Sequence, residues 1–412
     1  MDLKGKSVLV TGISGFVGSK LGKRLVDEGA EVFGLMRRRA DGILPHNLKR
    51  EGIGPQVKLL EGDLADISSL GSALTVSDPD LVFHLAAQSF VPRSFASPLE
   101  TAEANCLGTA NLLEAIRIKD VDPKVVFAGS SEEYGLVISS EEQLRRARDK
   151  YGTVFPEPAT IPELPITETN PLRPMSPYAA SKVYGDFLTR NYCHSYGLKT
   201  IVSRAFNHEG AGRGMMFVTT VITSQVMRLK MGEADKIRIG NVNAFRDWSH
   251  VADVIDGYLL LADKGRFGDV YNQGSMRANS VLSYLLLSLE RAGYPVDGIE
   301  TFRGEKAVAD PTERDPSEIF GLVFDKTRLD GMLLRGEVEF GAEDGGVVAL
   351  SGADRVAIEF DPDRFRPAEV PILLSETTKI SGLGFVARRS LGDIIEDQLN
   401  HYLSEAERKG WG

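Results

Sequence analysis

The stretch VLVTGISGFVGSKL, Val8 to Leu21, most narrows what this chain can fold into. An apolar run breaks into Gly12, Gly15 and Gly18, and helix-like spacing follows. A strand, a glycine turn and a helix start together make an anion site. The helix presents unpaired N–H groups and the positive end of its dipole, and glycine lets a pyrophosphate approach the backbone. Taken alone, G-x-x-G-x-x-G also describes a tight strand-to-helix turn, so the glycines leave both readings open. The context favours the ligand: a second apolar strand, EVFGLM, ends at Met36, 24 residues past Gly12.

That rhythm continues. VKLLEGDL, LVFHLAA and KVVFAGS read as further strands, and LGTANLLEAIRIK lies between the last two as an amphipathic helix. Continuous apolar strands alternating with helices imply a parallel sheet covered on both faces. The expected fold is therefore α/β, a Rossmann-type doubly wound parallel sheet with a smaller C-terminal α/β substrate domain. The first domain is expected over residues 1–205 plus about 244–275, with an insertion at about 136–165. The second takes 206–243 and 276–412, with a β insertion at about 321–360, where GEVEFGAEDGGVVALSGADRVAIEF alternates like strands between glycine turns. Within 136–165, SSEEQLRRARDKYG is a charged helical patch and the proline-rich FPEPATIPELP a loop.

Bulk properties exclude several classes. The chain has 412 residues, 42% of them hydrophobic, and a formal net charge of −10, which argues against a nucleic-acid binder. Cys106 and Cys193 cannot build a disulfide framework and lack metal-ligand spacing, and the six histidines are scattered, so no metal site is expected. No apolar run reaches membrane-span length and the start reads straight into a strand, so no membrane association is expected and the cytoplasm is the default compartment.

The densest basic patch, Arg37, Arg38 and Arg39, follows Met36 at the end of the second strand. An acid there would bind the adenosine-ribose hydroxyls of NAD; guanidinium groups instead suit the 2′-phosphate of NADP. The alternative is a solvated basic loop. NADP is the expected cofactor, with NAD retained as an option. Asp63, in EGDL, is placed either to bond an adenine amino group or to cap its strand.

SPYAASK sets Tyr178 and Lys182 four apart, on one helix face. A nearby ammonium favours phenolate, and such a tyrosine can exchange a proton with an alcohol or ketone oxygen while hydride moves to or from a nicotinamide. Ser130, in VVFAGSSEEYG, stands at a strand end, where α/β ligands bind, and can bond the same oxygen. Glu132 and Glu133 follow; they are either solvated loop acids or a general base for the carbon beside the oxidised centre.

The motifs TGISGFVG, GDL, HLAAQSFVPRSF, GSSEEYG, LRPMSPYAASK, RAFNHEGAGRG, IRIGNVNAFRDWSHVADV and RFRPAEV span most of the chain. Together they resemble the extended short-chain dehydrogenase/reductase superfamily, the nucleotide-sugar epimerases and dehydratases. AAQSFVPRSF, RAFNHEG and RPAEV are more specific, and are most similar to the GDP-mannose 4,6-dehydratases and related keto-sugar reductases. The resemblance implies Ser130, Glu132, Tyr178 and Lys182 as catalytic residues. It implies a cofactor site of Gly12, Gly15, Phe16, Val17, Gly18, Arg37, Arg38, Asp63, Leu64, Leu85, Ala86 and Ala87, together with Tyr178 and Lys182. Ser89, Asn207, Arg246 and Arg366 are implied for the nucleotide sugar. The expected activity is nucleotide-sugar 4,6-dehydration, with GDP-mannose as substrate, in a homodimer or homotetramer. The alternatives are a 4-epimerase, a 4-keto-6-deoxy sugar reductase, or, more remotely, a silent NADP-binding regulator. The two insertions depart from the family pattern, and the one after Gly135 is expected as a lid or subunit contact beside the sugar, with a decorative surface excursion as the alternative.

Overall fold

Short β-branched and leucine-rich runs disappear into the interior of the computed structural model, which describes residues 1–40, 42–364 and 370–408. Val8, Leu9 and Val10 of the strand Ser7–Thr11 are at most 1% exposed, so both faces of that strand are covered. Seven strands form one sheet, in the order Val270–Gln273, Lys199–Ala205, Lys124–Ala128, Leu81–His84, Ser7–Thr11, Glu31–Met36 and Val57–Glu61. Every neighbouring pair is parallel. The chain begins in the middle and winds outward both ways, so the order reverses between Ser7–Thr11 and Leu81–His84. This is the expected doubly wound sheet. Ligands of such sheets bind at the carboxyl ends of the strands, at the reversal.

Two helices position the site. Phe16–Asp27 starts directly from the glycine turn. Pro177–Tyr196 starts where Ser176 Oγ accepts the Ala179 N–H at 3.0 Å, with proline in the first turn. It stops at Gly197, whose φ of +77° suits a residue without Cβ.

A second sheet has the order Ala307–Ala309, Gly298–Thr301, Gly346–Ser351, Asp354–Phe360, Lys236–Ile239. The residues expected as a β insertion thus supply two adjacent interior strands of this sheet. Val347, Ala349, Ile358 and Phe360 point into its core beside Ile237 and Ile239. A third apolar cluster, including Tyr134, Phe206, Phe245 and Leu373, connects segments that flank both sheets.

The segment 136–165 carries its own small core of Leu136, Ile138, Leu144, Ala147 and Val154. Its charged patch forms the helix Glu141–Tyr151, capped by Ser140, whose Oγ accepts the Gln143 N–H at 3.1 Å. Arg173 anchors the segment. Its two terminal nitrogens donate to the two oxygens of Glu163 at 2.7 and 2.8 Å, with both side chains 4% exposed. Among the described residues, no helix is long and apolar enough to cross a membrane.

Candidate active site

The glycine turn is built by close approach. Gly12 sits at φ +73°, and a Cβ there would lie 2.9 Å from the backbone of Ala86. A Cβ on Gly18 would strike the Gly12 carbonyl oxygen at 2.2 Å. Any larger residue at either position forces the two strand ends or the helix apart. The helix Phe16–Asp27 has no side-chain cap and no acid in its first turn, so its N-terminus stays open to an anion.

His84 ties this turn to the neighbouring strand. Thr109 Oγ1 donates to the Asn105 carbonyl at 2.6 Å, so it accepts from His84 Nε2 at 3.1 Å. His84 Nδ1 then accepts from Thr11 Oγ1 at 2.8 Å, and that oxygen accepts the Ala86 N–H at 3.1 Å. The imidazole is neutral; burial, then Lys182, hold its pKa down to about 3.

A cleft of about 1520 Å³ opens at the carboxyl edge of the sheet and reaches the second sheet. Ligand sites commonly measure ~300–1,000 Å³, so this one has room for two nucleotides. At one end it is lined by Gly12, Gly15, Phe16, Val17 and Gly18, with Arg37 beyond them. Asp63, Leu64, Leu85, Ala86 and Ala87 form the adjoining wall. Ser89, Asn207 and Arg246 line the other side. Asn207 Oδ1 is buried with no hydrogen-bond partner, an unsatisfied acceptor beside a cleft suited to a polar ligand. Arg246 is anchored through Nη1 on the Phe245 and Val370 carbonyls, each at 2.8 Å.

Ser130, Glu132, Tyr178 and Lys182 meet at the centre of the cleft. Ser130 lies two residues past the strand Lys124–Ala128 and caps a short turn over Ser131–Glu133. Its Oγ accepts the Glu132 N–H at 3.2 Å, and its nearness to the Tyr178 hydroxyl favours the phenolate. Glu132 is half-buried, and its carboxylate makes no hydrogen bond or ion pair with any described residue. Glu133 is the opposite: fully buried, it accepts the Ser130 N–H at 2.7 Å. The structure separates two acids that the sequence leaves side by side.

The model of the GDP-mannose 4,6 dehydratase family matches residues 9–333. The chain belongs to this family. A GDP-mannose 4,6-dehydratase of Yersinia enterocolitica is 30% identical, over 98% of this chain and 95% of its own length. One from Vibrio cholerae is 31% identical over 97% of this chain and 92% of its own. Among solved structures, a UDP-glucose 4-epimerase from Bifidobacterium longum superposes with a TM-score of 0.68 at 21% identity, covering 97% of this chain and 99% of that one. A dTDP-glucose 4,6-dehydratase from Streptomyces venezuelae gives 0.64 at 23%, covering 98% of both. The last two establish shared fold.

In this GDP-mannose dehydratase family member, the expected site residues fare differently. Arg38 does not line the cleft; it is 82% exposed, with Glu61 its nearest carboxylate at 3.9 Å. Arg366 lies outside the described residues. Asp63 both lines the cleft and caps its own turn, accepting the Ala65 N–H at 3.0 Å. No residue of 136–165 lines the cleft, because that segment packs on its own core instead. The Tyr178 pKa is not lowered: burial pushes it up to about 12, against the pull of Ser130, with Glu132 and Glu133 adding to the rise. Lys182 does not relieve this, because its Nζ donates to the Ala128 carbonyl at 2.7 Å. Burial holds the lysine itself down to about 8.

Sequence reasoning left some cleft residues unassigned. Arg213, inside the quoted motif RAFNHEGAGRG, stacks 3.6 Å from the Phe217 ring, whose edge meets Phe90 at 5.9 Å. Its charge also pulls the Tyr178 pKa downward. Asn47 lines the cleft and donates to the Ser14 carbonyl at 2.8 Å, bracing the glycine turn from a separate helix. Isolated polar residues in short helices and loops carry no spacing signal, so only their packing reveals them.

Proposed function

We propose that the chain is a nucleotide-sugar 4,6-dehydratase that converts GDP-mannose to its 4-keto-6-deoxy sugar with loss of water, using NADP. The observation that carries this reading is Glu132: a cleft carboxylate, two residues from Ser130, with no hydrogen bond or ion pair to any described residue. A 4-epimerase or keto-sugar reductase needs Ser130, Tyr178 and Lys182 alone. Dehydration also needs a base for C5.

The residues fit the cofactor. The open helix start beyond Gly12, Gly15 and Gly18 suits a pyrophosphate, and Arg37 suits the 2′-phosphate that separates NADP from NAD. Asp63 and Leu64 line the cleft and would flank the adenine. When bound, NADP supplies the acceptor for the C4 hydride and the donor for C6.

The chain's own groups handle the protons. Ser130 Oγ accepts the Glu132 N–H, so its own proton is available to Tyr178 or to the sugar O4. Tyr178 exchanges a proton with O4; Ser130 and Arg213 favour its phenolate, and burial opposes it. Once C4 is a ketone, the C5 proton is acidic. Glu132 removes it and passes it to the departing C6 hydroxyl, which leaves as water; C5 then takes back a proton from solvent through Glu132 when C6 is reduced. Asn207 would meet the substrate diphosphate and Arg246 the nucleotide.

The test is incubation with a panel of nucleotide sugars followed by mass spectrometry. Loss of one water from GDP-mannose, with C5 exchange in deuterated solvent, supports dehydration. Turnover at unchanged mass supports epimerisation. A homodimer or homotetramer is proposed alongside. Leu99, Leu107, Tyr184 and Phe187 are exposed apolar side chains on helical segments that pack together, and light scattering measures the assembly.

A further inference from the structure

Behind the catalytic cleft lies a buried charged cluster that the mechanism above does not use. Arg204, on the strand Lys199–Ala205, points its Nε at two carboxylates: Glu133 Oε2 at 3.2 Å and Asp186 Oδ2 at 2.8 Å. All three side chains are at most 2% exposed. Burying two acids on one guanidinium is expensive, and it persists only where further hydrogen bonds complete the geometry. They do here. The other Glu133 oxygen accepts the Ser130 N–H at 2.7 Å, and the other Asp186 oxygen accepts Arg190 Nε at 2.6 Å. Arg204 Nη1 donates to the Tyr134 hydroxyl at 3.1 Å, which donates to Asn272 at 2.6 Å. Space for the cluster is reserved: a Cβ on Gly129 would sit 2.7 Å from Glu133 Oε1.

The two carboxylates belong to the two halves of the catalytic group. Glu133 closes the turn that carries Ser130 and Glu132. Asp186 lies one helical turn beyond Lys182, on the helix that carries Tyr178. We propose that Glu133, Arg204 and Asp186 are positioning residues, a buried strut that sets the Ser130/Glu132 turn against the Tyr178/Lys182 helix. The proposal rests on the catalytic reading above. Asp186 and Arg204 could pair without Glu133; what Glu133 adds is a hold on the backbone of Ser130.

Glu133→Leu, Glu133→Gln and Asp186→Asn are to be purified with bound cofactor and compared with the wild type. Because a displacement of about an ångström acts on the chemical step, Glu133→Leu should lower kcat about 10²-fold while KM for GDP-mannose stays within about threefold. Glu133→Gln keeps the acceptor for the Ser130 N–H and should recover about tenfold of that loss. Amide hydrogen exchange needs no substrate and reads the strut directly. Protection lost only in residues 129–134 and 177–186 supports it. Protection lost throughout the chain overturns it, since Glu133 would then serve the fold and not the site. Unchanged kcat in a folded Glu133→Leu also overturns it. If Glu133→Leu does not fold, wild-type kcat and KM in both Glu133→Gln and Asp186→Asn overturn it, and a kcat loss in either at near-constant KM supports it. A wild type inactive on GDP-mannose fails the functional reading alone, and the exchange pattern still decides the strut.

Discussion

Lys182 follows Tyr178 by one helical turn, yet its Nζ sits 5.9 Å from the centre of the Tyr178 ring and bonds the Ala128 carbonyl at 2.7 Å. The ammonium is fixed beside the site rather than on the phenol. Burial holds its pKa down to about 8, so its charge is lost as pH rises through that value. Because that charge does not act on the phenol, the rate of the Tyr178-dependent step should not fall as pH rises through this value. Pre-steady-state absorbance of the reduced cofactor against pH checks this; a rate that falls with a midpoint near that pH counts against it.

Glu132→Gln keeps the shape of the side chain but removes the base. Product formation and C5 exchange should drop by ~10²–10⁴-fold, the usual range for a lost general base, while C4 oxidation still reduces the cofactor. Tyr178→Phe should abolish the absorbance of reduced cofactor altogether. Near-normal turnover by Glu132→Gln without C5 exchange in the wild type would defeat the dehydratase assignment.

Arg37 lines the cleft and Arg38 faces solvent. Arg37→Ala should therefore weaken NADP binding roughly ten- to a hundredfold, the value of one charge-assisted phosphate contact, and leave NAD binding nearly unchanged. Arg38→Ala should change neither. Calorimetry on protein stripped of cofactor measures all four affinities.

One buried histidine, His84, and one half-buried in the cleft, His208, make the fold sensitive to acid. His84 is held down to about 3 and His208 to about 4, both chiefly by burial. The unfolded chain takes up these protons near pH 6.5, and the folded chain refuses them. The stability each histidine contributes is present above that pH and is lost as pH falls toward the folded values. Each should add ~1.4 kcal/mol per pH unit to the loss. Urea unfolding at a series of pH values tests this. In His84→Asn the slope below pH 6.5 should be shallower by that amount, and an unchanged slope would refute the assignment.

Glu163→Ala leaves the buried Arg173 charge without its carboxylate, which should destabilise by ~3–5 kcal/mol. The segment around it does not line the cleft, so kcat and the sugar KM should hold at temperatures where the variant stays folded. Thermal melts beside steady-state kinetics separate the two effects. A raised KM with unchanged melting would restore the lid expected for this segment.

Short-range features were legible in the chain by itself. Apolar runs, helix periods, the glycine turn and the Ser176–Pro177 helix start act over a few residues, and each reappears in the structure. The four-residue spacing of Tyr178 and Lys182 likewise placed both on one helix. What tertiary structure alone decided is how side chains that share a sequence neighbourhood differ in environment. Glu132 and Glu133 have the same local chemistry, but the strand carrying Arg204 and the helix carrying Asp186 capture Glu133 and leave Glu132 in the cleft. Arg37 and Arg38 divide in the same way at the end of a strand. The alternation over 336–360 announced strands but not their partners, Gly298–Thr301 and Lys236–Ile239, which lie far away in the chain. Periodicity reports which face of an element is buried. It carries no record of what is packed against that face, and the pKa of Tyr178, the reach of Lys182 and the duty of each glutamate depend on that packing.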